Sequence, residues 1–90
     1  MITMSEARTL YSRGNTQGQG YAPYADVAGE DTIEAAVEAA TKDGWSLVLE
    51  RSTSDDVAVL ENGDGEMMAI GGDAHGRGAW AVVISDVGAA

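Results

Sequence analysis

The apolar spacing of this chain changes at Gly44. Before that residue, apolar side chains recur at intervals of three and four. After it, they alternate. A period near 3.6 returns side chains to one face of a helix, and a period of two returns them to one face of a strand. Helices first and strands second point to the α+β class, in which helices cover an antiparallel sheet.

Local signals place the elements. Thr3-x-x-Glu6 is a capping box, with Ile2 and Ala7 at staple positions. Met4, Ala7, Leu10 and Tyr11 form one apolar face, and Gly14 stands where an αL terminator would. The spacing predicts a helix over 4–13. The stretch 14–26, GNTQGQGYAPYAD, has neither period and reads as a loop. Asp31-x-x-Glu34 is a second capping box, opening a helix over 32–42 whose buried stripe is Ile33, Ala36, Val37 and Ala40. Lys42 is set to pair with Glu38, and Gly44 ends the helix.

Four strands follow. Trp45, Leu47 and Leu49 are expected on one face of the first, with Ser46, Val48 and Glu50 opposite. Ser52 to Asp56 is a turn cluster, and residues 57–60 alternate again. Asn62-Gly63-Asp64-Gly65 signals a hairpin with a primed turn, since these residues tolerate positive φ. Residues 67–70 form the third strand and Gly71 to Gly78 a long connection. Trp80, Val82 and Ile84 alternate in the fourth, before a frayed tail. The expected architecture is one α+β domain over 1–90, with two N-terminal helices, a four-stranded antiparallel meander and the second helix packed on one face.

The chain has little to bury. Its apolar fraction is 44%, but much of that is alanine, and phenylalanine is absent. Small side chains contribute little area, so the stability margin of such a domain is thin. Cysteine is also absent, which removes disulfides and thiolate metal sites and fits a reducing compartment. The longest apolar run, Ala79 to Ile84, is too short to cross a bilayer, and the N-terminus lacks the pattern of a signal peptide. A soluble cytoplasmic protein is expected.

Charge is concentrated. Residues 26–66 carry twelve carboxylates against only Lys42 and Arg51, a balance of −10 that equals the net charge of the whole chain. Such a field repels nucleic acid and anionic membranes and attracts basic protein surfaces. The remaining bases form no patch that could displace counterions from a phosphate backbone. The two tryptophans alternate with aliphatic residues and read as core, not as a base-stacking platform.

No chemistry-bearing motif is complete. Aligning Asp64-Gly65 with the middle of an EF-hand loop puts Leu60 and Gly71 where carboxylates must stand. The glycine-rich stretches lack the Gly-Lys-Ser/Thr that grips a nucleotide. His75 is the only histidine, near Asp73 and Arg77, and reads as a solvated loop residue. The chain is therefore expected to be non-enzymatic, with no cofactor and no metal.

The acidic stripe remains. Glu30, Glu34 and Glu38 recur every four residues, about 6 Å apart along a helix. Asp31 lies beside them, and Asp55 and Asp56 follow in a turn. Tyr21 and Tyr24 flank Pro23 on the glycine-rich loop, where binding residues concentrate. These eight residues are the candidate partner contacts. The plain reading is a solvated helix face, with the tyrosines covering an alanine-rich core. The functional reading is an inhibitor, in concrete form a phage or mobile-element anti-defence protein of the anti-CRISPR type. It would occupy a basic nucleic-acid-binding surface of a host protein or nucleoprotein effector without touching nucleic acid itself. The alternative is a structural or adaptor domain that self-associates as a homodimer through sheet edges, its acids serving solubility in a high-salt or GC-rich organism.

Overall fold

A computed structural model describes residues 2–17, 32–53, 55–72 and 78–84. Two helices, α1 (Met4–Gln17) and α2 (Ile33–Lys42), precede four strands, β1 (Ser46–Leu49), β2 (Ala58–Glu61), β3 (Met67–Gly72) and β4 (Ala79–Val83). The strands form one antiparallel sheet in chain order, the expected meander.

Side-chain alternation sorts the core into two halves, one on each face of the sheet. Ala58, Leu60, Met68, Ile70, Ala79 and Ala81 point to one face, where Ala36 and Ala40 of α2 and the ring of Trp45 meet them. Val57, Val59, Ala69, Val82 and Ile84 point to the other, where Ala7 and Tyr11 of α1 meet them. The ladder enforces the split, since Ala58 is opposite Ile70 and Ile70 opposite Ala81, while Val59 is opposite Ala69 and Ala69 opposite Val82. The second helix covers a face as the sequence suggested, and the first helix covers the other. This explains why β2 and β3 read as nearly continuous apolar runs.

α1 begins as its capping box dictates. The Glu6 N–H donates to Thr3 Oγ1, and the Thr3 N–H donates to Glu6 Oε1, both at 3.2 Å. It does not stop at Gly14. That residue is buried inside the helix, which runs on to Gln17. Glycine costs a helix interior about 1 kcal/mol relative to alanine, and tertiary contacts outweigh that cost. The Tyr11 hydroxyl donates to Gly72 O at 2.5 Å and lies 3.3 Å from Trp80 O, while Asn15 Nδ2 donates to Gly72 O at 3.2 Å. These bonds fasten the second half of the helix to β3 and β4.

The same contact accounts for Gly71. A Cβ there would stand 2.9 Å from Val57 Cγ1 and 3.0 Å from Tyr11 Cζ. The Tyr11 ring rests directly on that backbone. Gly71 and Gly72 are thus strand residues, paired with Trp80 and Ala79, and not the start of the long connection expected from their composition.

Three further details differ from expectation. Asp31 lies outside the described residues, and the N-cap of α2 is Thr32, whose side chain accepts from Ala35 N. Threonine in extended backbone is among the residues that fill that role. In the β2–β3 turn only Gly65 has positive φ, at +83°, so the loop is not a two-residue primed turn. Asn62 organises it, its Oδ1 accepting from the N–H groups of Asp64 and Glu66 at 3.0 Å each. Finally, β1 carries a bulge. Leu47 is opposite Leu60 and Leu49 opposite Val59, so the register skips Val48. Leu49 is thereby turned away from the face of Trp45 and packs on the α1 side. An inserted residue reverses the alternation from that point on.

Candidate functional site

The acidic region is built on α2, β1 and the two turns that flank β2. From Thr32 to Glu66 nine carboxylates stand against Lys42 and Arg51, a balance of −7. Across the sheet, the described N-terminal segment carries Glu6 against Arg8 and Arg13, a balance of +1. The helices lie on opposite faces, so Glu34, Glu38 and Glu50 gather on the α2 side, while Arg8 and Arg13 stand on α1, where Arg8 meets Asp56 and Glu61 shares the face of Met67.

The expected contact residues fare differently within this frame. Glu34 and Glu38 project from α2 with side chains 80% and 68% exposed. Each has a basic neighbour. Glu34 Oε1 is 3.5 Å from an Arg51 guanidinium nitrogen, and Glu38 Oε1 is 3.3 Å from Lys42 Nζ, the i,i+4 pair expected from sequence. Exposed pairs of this kind contribute about 0.3–0.5 kcal/mol and are screened by salt, so they thin the acidic row without removing it. Asp55 is exposed in the β1–β2 turn. Glu50, Glu61, Asp64 and Glu66 are exposed as well and extend the field. Tyr21, Tyr24, Glu30 and Asp31 lie outside the described residues.

Asp56 is not a surface acid. It is 8% exposed and turned into its own loop. Its Oδ2 accepts from the Ser52 N–H at 3.0 Å, the Ser52 hydroxyl at 2.8 Å and the Thr53 N–H at 3.2 Å. Arg8 approaches Oδ1 at 4.0 Å from α1. Hydrogen bonds from the Ser52 backbone and hydroxyl, seconded by Thr53, hold the carboxyl down to about 2 from an ordinary 3.8, against the opposing effect of burial. Asp56 fixes the loop that carries Asp55 and Arg51, and Arg51 Nε donates to Asp56 O at 2.9 Å. The expected contact role thus passes from Asp56 to its neighbour.

A test follows from the sign of that shift. A carboxyl whose folded pKa is depressed stabilises the fold above its unfolded pKa and loses that contribution as pH falls through the folded value. Thermal melts of the wild type should therefore drop in Tm between about pH 4 and pH 2. Asp56→Asn should melt lower at neutral pH and lose less over that window. A variant as acid-sensitive as the wild type would show that another group carries the acid response.

Beside Glu34 the surface is concave. Ile33, Glu34 and Val37 of α2, Leu47 of β1, Glu50, Arg51 and Ala58 line an open groove of about 340 Å³. Among the described residues, Leu47 and Val48 are the exposed large apolar side chains, at 39% and 37%. The spacing put Leu47 on one face with Trp45 and Leu49; it pairs with Leu60 ahead of the bulge, but β1 is the edge strand and leaves it exposed where the groove opens.

Among the described residues, no group of three or more His, Cys, Asp or Glu side chains could hold a metal ion. Nor is any described helix long and apolar enough to cross a membrane. Comparison of the chain with protein-family models, curated proteins and solved structures returns no match.

Proposed function

We propose that this protein is a non-enzymatic binding module that docks its acidic α2–β1 side against a basic protein surface. In its most concrete form it is an anti-defence inhibitor of the anti-CRISPR type, occupying the surface through which a host effector holds nucleic acid. One observation carries the reading: Glu34, Glu38 and Glu50 form an exposed acidic row beside the α2 groove, across the sheet from Arg8 and Arg13 of α1. A field of that asymmetry orients the molecule as it approaches a cationic groove and raises its on-rate. Glu34 and Glu38 stand about 6 Å apart along α2, within a factor of about two of the charge spacing along one nucleic-acid strand. Reading the molecule as an inhibitor requires no catalytic step.

Displacement of labelled nucleic acid from purified CRISPR effector complexes tests this. The wild type should displace it at micromolar or lower concentration, and the triple variant Glu34→Lys, Glu38→Lys, Asp55→Lys should not. Asp56 stays untouched in that variant because it holds the loop. Displacement by both proteins alike would sink the electrostatic reading.

A further inference from the structure

β1 stands at one edge of the sheet, paired with β2 alone among the described strands. Beside it lies the groove floored by Ala58 and walled by Ile33, Val37 and Leu47. Edge strands with exposed apolar side chains invite another strand, and proteins blunt them with short length, bulges, lysine, proline or a cover. Here the edge, Ser-Leu-Val-Leu, is short and bulged at Val48 but carries no charge or proline.

We infer that β1 receives an extended segment of a basic partner as a fifth strand, its apolar side chains entering the α2 groove and its Lys or Arg side chains meeting the surrounding acids. The inference rests on the reading of the protein as an acidic binding module and specifies how the partner is held. Charge chooses the occupant. Glu34 and Glu50 line the groove. Glu38 lies one turn along α2 from Glu34, and Asp55 is exposed in the turn after β1. A second copy of this chain would bring two of these acidic rims together, each from a molecule of net charge −10, whereas an alternating basic and apolar strand meets complementary charge. Main-chain hydrogen bonds supply affinity in such strand addition, and pockets for alternate side chains supply selectivity.

The probe is an acetylated seven-residue peptide of alternating Lys and Val, compared with two versions of it, each N-methylated on alternate residues along one or the other edge. Amide NMR and hydrogen exchange on the full chain report the outcome. The unmethylated peptide should add protection within Ser46–Leu49, and at least one of the two methylation patterns should weaken binding at least tenfold. Leu47→Thr, which leaves the net charge unchanged, should weaken the unmethylated peptide about tenfold. If all the peptides bind alike at low salt, strand addition is overturned while the acidic-surface reading stands. If none binds while tetralysine does, strand addition is again overturned alone, and if tetralysine also fails, both readings fall. Added protection of β1 amides in the protein without peptide would mean that a second copy, or the chain's own residues 18–31, occupies the edge, and would equally overturn the proposal.

Discussion

Replacing Tyr11 with alanine is expected to destabilise the protein by about 3–5 kcal/mol, the range for emptying an aromatic site in a core. Tyr11 is 7% exposed and sits where three parts of the α1 side converge. Its ring lies on Gly71 beside Val57, and its hydroxyl reaches the carbonyls of Gly72 and Trp80. Removal leaves a void that neighbours cannot easily fill, because Gly71 has no side chain to move into it. It also takes from Gly72 O its shortest donor, leaving the Asn15 amide at 3.2 Å. Small domains hold only about 5–15 kcal/mol in total, so the variant should be partly unfolded at 37 °C. Tyr11→Phe separates the two contributions. It keeps the ring and loses the hydroxyl, and should cost about 0.5–1.5 kcal/mol. Denaturant melts of both variants check this. If Tyr11→Ala melts like the wild type, α1 is not fastened to the sheet as described, and the separation of charge between faces loses its structural basis.

The helix and strand content was legible because it is written in local patterns. The capping box at Thr3 and Glu6 forms as read, as does the Lys42–Glu38 pair. Gly44, with φ of +103°, ends α2 where its position suggested. What could not be read depends on contacts distant in sequence. Nothing near Gly14 announces that Asn15 and Tyr11 will bond to Gly72, so the glycine reads as a terminator when it is buried inside the helix. The bulge at Val48 is of the same kind. Ser-Leu-Val-Leu alternates no better in one register than another, and pairing with β2 decides.

For the site, sequence offered Asp55 and Asp56 as equals. The turn distinguishes them, directing Asp56 to the N–H groups of Ser52 and Thr53 and leaving Asp55 in solvent. The hydroxyl-rich run Ser52-Thr53 just ahead of the pair was the available signal, since such residues commonly close loops with a nearby carboxylate. The groove beside α2 was invisible for a different reason. It forms where the edge strand β1 leaves Leu47 exposed beside α2, and its members come from three separate elements.

The second large effect concerns charge. At 10 mM salt fields extend about 30 Å, comparable to the 29 Å width of the molecule, whereas at 1 M they extend about 3 Å. A cation should therefore sense the whole acidic side at low salt and almost none of it at high salt. Arg8 and Arg13 should keep it from α1. The two ion pairs on α2 reduce the attraction but cannot cancel it, because the exposed Glu50, Asp55, Glu61 and Asp64 have no basic partner among the described residues.

An amide NMR titration with tetralysine at low and high salt tests this directly. The account predicts shifts confined to residues 32–50, 55 and 61–66, with α1 unmoved and binding at least tenfold weaker at high salt. Shifts spread evenly over both faces, or an affinity indifferent to salt, would contradict it.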